Sequence, residues 1–217
     1  MKKLLLIACC LFVNLAFAGE KLYVYNWTEY LPNDLMKEFE KESGIDVIYS
    51  TYDSNETLYA KVSMQKGKGY DVIVPSADYV SKMSREGLLQ KIDRSKLPGM
   101  QHLDPNVLNR PHDPGNQYSV PYMWGSSGIG INTAKIPAGS ISKWQDLWDP
   151  KYRNSLLLPD DVREVFHMAL KIKGYSANTT DEAQIREAYE LLKTLMPNVL
   201  AFNSDAAKVP FIAGDVN

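Results

Sequence analysis

Aromatic and acidic side chains occur together near the amino terminus, where Trp27, Glu29 and Tyr30 follow a short aromatic-rich segment that starts at Tyr23. An acid between aromatic rings suits a ligand that carries amines on an apolar stem, because ammonium groups pair with carboxylates and pack on ring faces. Alternatively, the two rings cover the start of the next helix and have only a structural role. The pattern alone leaves both interpretations open.

A second acidic group, Asp160, Asp161 and Glu164, lies at the start of a predicted helix over residues 160–173. Asp160 is the predicted N-cap, and the acids complement the positive end of the helix dipole. Asp161 and Glu164 share a helix face that could point into a cleft. As a general acid and base they would need one raised pKa and a nucleophile to act with, which the sequence does not indicate. Charge recognition is therefore favoured over catalysis.

A third group follows a predicted strand over residues 71–74, where Ser76, Asp78 and Tyr79 open the next helix. Ligands of open α/β sheets bind at the carboxyl ends of the strands, which is where these residues and Trp27 to Tyr30 would meet. Taken singly, Ser76 or Asp78 could be an ordinary helix cap. Their convergence on one rim favours a binding function.

Other kinds of site are disfavoured. The Gly/Ser-rich segment 125–130 has no following lysine and leads into a predicted strand, so it does not fit a phosphate loop. Ser126 and Ser127 lack the strand, sharp turn and helix of an acyl-transfer nucleophile. The histidines are far apart and no pair has metal-ligand spacing. We therefore expect no cofactor, no metal and no catalytic residue.

The first 18 residues have the features of a secretory signal peptide: a basic start, an apolar run from Leu4 to Phe17, and small residues before a cleavage site after Ala18. This run is too short to span a membrane, so we expect an exported protein that is soluble outside the inner membrane. Cys9 and Cys10 lie inside the signal, and lipidation at either is left open.

Composition narrows the class of partner. Without the two signal lysines, 22 basic residues face 26 acidic ones, a formal charge of −4, which argues against nucleic acid. Because both cysteines are in the signal, the mature chain can form no disulfide. A mature chain of this length lies near the boundary between one domain and two.

Strands alternating with helices predict a parallel α/β sheet with right-handed crossovers. The predicted strands of the first half cover residues 22–25, 45–49 and 71–74, and the predicted helices cover 32–43, 55–65 and 79–85. An ordered loop is expected over 97–117, and a further strand over 118–123.

Residues 124–132 form a Gly/Ser-rich turn that enters another predicted strand, and we place the crossing between two lobes there. The prediction is a first α/β lobe over 19–124 and a partial second lobe over 125–217. The second lobe contains a strand at 155–158 and helices at 160–173, 181–195 and 206–213. Residues 215–217 resemble the start of a strand, so we expect a chain truncated at its carboxy terminus.

Five motifs together resemble one family: residues 25–30, 74–83, 121–132, 160–166 and 197–205. With the export signal, they are similar to the periplasmic solute-binding proteins of bacterial polyamine ABC transporters, over residues 21–217. The resemblance implies a periplasmic-binding-protein type II-like two-lobed fold, here incomplete at the carboxy terminus. It also implies a spermidine or putrescine ligand and a membrane permease as partner. We expect a monomer.

The resemblance also implies which residues contact the ligand. Carried over by motif, these contacts fall on Trp27, Thr28, Glu29, Tyr30, Ser76, Asp161 and Glu164. At Asp78 the spermidine-preferring members of the family usually carry tyrosine. Either Tyr79 takes over the stacking, or an additional acid alters which polyamine is preferred, so both residues are included in the predicted site.

Two alternatives to a polyamine receptor are kept. One is a receptor for another small solute, which differs only in the ligand. The other is a secreted hydrolase that uses Asp161 and Glu164, which we disfavour because the sequence indicates no nucleophile to act with them. We therefore expect no enzymatic activity.

Overall fold

The computed structural model describes residues 19–204 and 207–216. The predicted signal peptide, its cleavage after Ala18 and the lipidation of Cys9 or Cys10 therefore lie outside the described residues. Within residues 19–204 and 207–216, no helix is both long and apolar enough to cross a membrane.

The first half of the chain forms a three-stranded parallel sheet in the order β2-β1-β3. Its strands are β1 (Lys21–Trp27), β2 (Asp46–Tyr52) and β3 (Val72–Ile73). The helices are α1 (Asn33–Ser43), α2 (Asn55–Met64) and α3 (Ala77–Arg85). One helix lies in each parallel crossover, and the predicted parallel α/β arrangement is confirmed. Consequently the carboxyl ends of β1, β2 and β3 share one edge.

The core of this half is built on aromatic residues of the sheet. Tyr25 is 2% exposed, and its ring lies 4.9 Å from that of Tyr52 and 4.6 Å from that of Tyr70. Alternate residues of a strand point to one face, so the aromatic pattern of β1 directs Tyr25 and Trp27 to the same side. Leu58 and Val62 of α2 pack into this core, as the helical spacing predicts.

The second half contains a separate two-stranded parallel sheet formed by β4 (Leu156–Leu158) and β5 (Val199–Phe202). Along the chain, helices α4 (Val162–Ile172) and α5 (Glu182–Leu195) connect these two strands, and α6 (Lys208–Ala213) follows β5. Met168, Ala169, Leu192 and Leu195 are buried in its core. Asn198 directly precedes β5, and its Nδ2 donates to the carbonyl oxygens of Leu147 and Asp149. These bonds tie the start of β5 to the 3-10 helices Trp144–Trp148 and Pro150–Tyr152.

The strand predicted at 118–123, and the one predicted to follow the turn at 124–132, are wrong. Residues 118–132 contain no helix or strand, a turn begins only at Thr133, and Tyr122 and Trp124 are 52% and 84% exposed. A strand needs a neighbour to satisfy its backbone groups, and among the described residues none pairs with this segment. The lobe boundary at 124/125 stays a prediction.

The loop predicted over 97–117 contains short 3-10 helices, including Pro98–His102 and Pro105–Val107. Asp113, only 3% exposed, organises its end by accepting hydrogen bonds from the backbone N–H groups of Gln117, Tyr118 and Ser119. Burial alone would raise the pKa of Asp113, but these hydrogen bonds hold it below its ordinary value.

Candidate ligand-binding site

The turn after β1 presents Glu29 to solvent. Its φ of 61° is in the left-handed region, which is uncommon for a residue other than glycine. The N–H of Tyr30 donates to the carbonyl oxygen of Trp27 at 3.4 Å and closes the turn. Both carboxylate oxygens of Glu29 accept hydrogen bonds from Nζ of Lys208, at 2.6 and 2.8 Å. This carboxylate is thus positioned to bind an alkylammonium group.

An aromatic wall, composed of Trp27, Tyr30 and Tyr122, lies beside this turn. The ring of Tyr30 is 6.1 Å from that of Trp27 and 6.5 Å from that of Tyr122. Nε1 of Trp27 donates to the carbonyl oxygen of Val74 at 3.0 Å, which ties the ring to the end of β3. The hydroxyl of Tyr122 donates to the carbonyl oxygen of Tyr30 at 2.5 Å. The wall is fixed by these two bonds at its ends.

The buried amide of Asn55 joins Ser76 to Asp161. Its Nδ2 donates to Oγ of Ser76 at 3.0 Å and to Oδ2 of Asp161 at 3.4 Å, and its Oδ1 accepts from the N–H of Ser76 at 3.0 Å. Asn55 is 2% exposed. The edge of the first sheet and the start of α4 therefore meet at this side chain.

The acids at the start of α4 can bind a cation, and one of them also caps the helix. Asp161 is the N-cap, and its Oδ1 accepts from the N–H groups of Arg163 at 2.9 Å and Glu164 at 3.1 Å. The prediction that Asp160 caps this helix is wrong, because the N–H of Asp160 instead donates to Oγ of Ser204. Glu164 accepts a short hydrogen bond from Oγ of Ser127.

Asp78 and Tyr79 have different surroundings. Oδ2 of Asp78 lies 3.6 Å from Nε of Arg163, so an internal cation faces this acid. The hydroxyl of Tyr79 donates to Oε1 of Glu56 at 3.1 Å. Burial, reinforced by the charge of Glu56, raises the pKa of Tyr79 to about 12, so the phenol stays protonated at neutral pH. Its ring lies 5.9 Å from that of Tyr59.

The structure thus brings the predicted residues into two groups. Trp27, Glu29 and Tyr30 surround the turn after β1, where Thr28 donates its N–H to the carbonyl oxygen of Tyr52. Ser76 and Asp78 face the start of α4, where Asp161 and Glu164 lie. Several residues that contact these groups were not predicted, among them Asn55, Ser127, Arg163 and Lys208.

Those four were missed for different reasons. Arg163 lies inside the acidic motif and Ser127 inside the Gly/Ser-rich turn, so both were visible but without an indicated partner. Asn55 precedes a predicted helix, where a polar residue is expected in any case. Nothing near Lys208 in the sequence indicates that it pairs with a residue 179 positions away.

The arrangement offers carboxylates, hydroxyls and ring faces, which together suit cations on an apolar stem. Across the described parts of the chain, no group of three or more His, Cys, Asp or Glu side chains is placed to hold a metal ion. Two open hollows of about 400 and 470 Å³ occur between residues 129 and 151, and the nine predicted residues line neither.

Comparison with known proteins gives a consistent result. Residues 34–217 match the family model of the bacterial extracellular solute-binding proteins. The chain is 58% identical, over 199 residues, to a spermidine/putrescine-binding periplasmic protein of Salmonella typhimurium. That alignment covers 92% of this chain and 57% of the relative, so the chain spans little more than half of the relative's length.

Two solved structures are similar throughout the aligned part. One is a putative spermidine/putrescine ABC transporter protein from Listeria monocytogenes, with a TM-score of 0.83 and 41% identity. The other is the Tp0655 (TpPotD) lipoprotein of Treponema pallidum, with a TM-score of 0.82 and 39% identity. The matches cover 91% of this chain in both cases, and 60% and 62% of the two structures. The expected periplasmic-binding-protein fold is confirmed.

Proposed function

This chain belongs to the bacterial extracellular solute-binding proteins, and on that premise we propose that it is a periplasmic receptor that binds spermidine or putrescine. The bound polyamine is delivered to the membrane permease of an ABC importer. The names of the Salmonella typhimurium and Listeria monocytogenes relatives support this ligand class and this transport system.

The observation that carries the proposal is the link from Ser76 through Asn55 to Asp161. Through this link, an acid of the second half of the chain lies at the edge where the parallel strands of the first sheet end. Ligands of open α/β sheets bind at that edge. Acids in both halves then bind a cation only when the halves are close together, which couples ligand binding to closure.

The energetics of polyamine binding agree with this site. Removing ammonium groups from water costs several kcal/mol for each ion, so a ligand needs an acid near every charge. Glu29, Asp161 and Glu164 each can form charge-assisted hydrogen bonds. The aromatic wall adds about 0.5–2 kcal/mol for each cation–ring contact. A micromolar affinity, about 8 kcal/mol, is within reach of these contacts.

The proposal also keeps the remaining expectations from the sequence. The receptor has no catalytic activity, uses no cofactor, binds no nucleic acid and acts as a monomer. The hydrolase alternative would require Asp161 or Glu164 to donate a proton to a leaving group. Asp161 is instead an acceptor of two backbone N–H groups, which favours a binding role. A receptor for another small solute would use the same surface with a different ligand.

Isothermal titration calorimetry on the protein expressed from its full gene tests the ligand. We expect heat of binding with spermidine, putrescine or both at about 100 μM ligand, a concentration well above a micromolar Kd. Glu29→Gln should weaken binding by about 1.5–3 kcal/mol, the range for a hydrogen bond to a charged group.

Glu38→Gln is the matched control, because Glu38 is an exposed residue of α1 and the change removes the same charge. Heat with neither polyamine would reject the ligand class. If Glu29→Gln bound as tightly as Glu38→Gln, the carboxylate of Glu29 would not contact the ligand.

A further inference from the structure

Lys208 is hydrogen-bonded to the carboxylate of Glu29, which is part of the proposed ligand-binding site. Its Nζ atom donates to both oxygens of Glu29, at 2.6 and 2.8 Å. Lys208 begins α6 and Glu29 lies in the turn after β1, so the contact joins the two halves of the chain. A ligand amine that binds Glu29 must compete for the same two oxygens.

The competitor has the chemistry of the ligand. A lysine side chain is a flexible butyl stem that ends in an ammonium group. The same unit forms each end of putrescine and one end of spermidine. Lys208 therefore presents to Glu29 the donor group, on the same kind of stem, that a polyamine would present.

The contact is accessible and weak enough to be exchanged. The side chains of Lys208 and Glu29 are 62% and 54% exposed, so a solute can reach either. Exposed ion pairs contribute little to stability, and their strength corresponds to about a two- to fivefold preference. Within residues 19–204 and 207–216, Lys208 is the only cation within 4.0 Å of the Glu29 carboxylate.

We propose that Lys208 is a specificity-determining residue that competes with the ligand for Glu29; this inference rests on the proposed polyamine-binding function. A solute with its own ammonium group can replace Lys208 and keep Glu29 paired. A neutral solute that displaced Lys208 would leave the carboxylate without a cation. The pair thus selects for amines and lowers the affinity of those that bind.

Calorimetric titration of the full-length protein with spermidine and with putrescine tests this role. Lys208→Met keeps the length of the stem and removes the competing charge, so it should tighten binding of a polyamine by about two- to fivefold. In a Glu29→Gln background the same substitution should change affinity less than about 1.5-fold, because the carboxylate for which Lys208 competes is gone. The difference between backgrounds separates competition at Glu29 from a general change in charge.

Lys173→Met is the matched control. Lys173 is also an exposed, ion-paired lysine, 3.6 Å from Glu187, and it lies at the far end of the helix that begins after Asp161. If Lys208→Met and Lys173→Met gave equal affinities, or if Lys208→Met weakened binding, the competition would be refuted while the polyamine function stood. If the wild-type protein bound neither polyamine, both proposals would fall together.

Discussion

Asp161 has two roles that can be separated by substitution. One oxygen caps α4 through the N–H groups of Arg163 and Glu164, and the other accepts from Asn55. Asparagine is as good an N-cap as aspartate, because its side-chain oxygen accepts the same backbone hydrogen bonds. The proposed site thus uses the charge of Asp161, whereas the helix needs only its side-chain oxygen.

Asp161→Asn should accordingly weaken polyamine binding by about 1.5–3 kcal/mol. It should lower the free energy of unfolding less than Asp161→Ala does, because the asparagine oxygen still caps the helix although its Nδ2 cannot accept from Asn55. Asp161→Ala should weaken binding similarly and also lower the free energy of unfolding by about 1 kcal/mol, the usual cost of a lost cap. Calorimetry and urea unfolding of both variants measure the two effects.

The matched control is Asp181→Ala, because Asp181 caps α5 through the N–H groups of Ala183 and Gln184 and is not in the predicted site. It should cost about 1 kcal/mol of stability without changing polyamine affinity. Binding by Asp161→Asn at wild-type affinity would show that Asp161 is only a cap.

At the scale of single residues, the sequence indicates which acids and aromatic rings are candidates for the site, but it does not indicate which side chains of the same chain contact them. Asp161 and Glu29 stand out because acids at a helix start or beside aromatic rings have a chemical meaning that is local in sequence. Asn55 contacts Asp161 across 106 positions, and such a contact depends on the packing of the whole chain. A buried asparagine at a helix start looks no different from an exposed one.

Among the elements, the loop over residues 97–117 contains a carboxylate, Asp113, whose pKa makes its stability depend on pH. The folded-state pKa of Asp113 is below the ordinary value of about 3.9. Folding therefore gains stability from this group above the unfolded pKa, and that gain is lost as the pH falls through the folded pKa. The sign is that of a carboxylate whose ionised form is bound by N–H groups.

Asp113→Asn should lower the free energy of unfolding at pH 7 by about 1–3 kcal/mol, because the charged acceptor of three backbone N–H groups is lost. The variant should also lose less stability than the wild type between pH 7 and pH 3. Urea unfolding at both pH values measures this difference. Asp53→Asn, at an exposed position, is the control. Equal pH dependence in Asp113→Asn and the wild type would contradict the prediction.

Helices and strands could be predicted where the residue pattern that indicates them lies within the element itself. The helical spacing of Leu58 and Val62 and the glycine after α6 place their helices correctly. Helix α1 forms as predicted, yet Leu35 and Phe39 of its apolar face are 53% and 42% exposed. Strands depend on a neighbour that the local pattern does not reveal. For that reason the strand predicted at 118–123 was wrong and β5 was not anticipated.

At the scale of the whole molecule, the side-chain contacts among the described residues that cross the predicted lobe boundary include Asn55 with Asp161, Asp78 with Arg163, and Glu29 with Lys208. All three involve residues of the predicted site. The boundary itself was inferred from a Gly/Ser-rich segment, and sequence provides no direct sign of which residues touch across it. In the Asp78–Arg163 contact, a cation from the second half of the chain balances the charge of an acid in the first half.

A double-mutant cycle on Asp78→Asn and Arg163→Gln measures that contact in solution. We expect a favourable coupling of about 0.2–1 kcal/mol in the free energy of unfolding, smaller at high salt, as for other exposed ion pairs. The cycle is needed because Arg163 also donates to Oδ1 of Asn178 at 2.8 Å, so a single substitution removes two contacts.

Asn178→Ala combined with each member of the cycle provides the control, because it removes the second contact and should leave the coupling between Asp78 and Arg163 unchanged. A coupling of zero at low salt, or one that salt does not reduce, would show that the two side chains do not pair across the boundary.

The left-handed backbone of Glu29 has a consequence for how this protein can be altered. A side chain other than glycine or asparagine at such a φ costs about 1–2 kcal/mol. Glycine or asparagine at position 29 would relieve that cost and remove the carboxylate in the same step. If the proposed function holds, a laboratory selection for heat resistance alone would favour variants that are more stable but lack the Glu29 carboxylate, whereas selection under polyamine-limited growth would keep the strained glutamate.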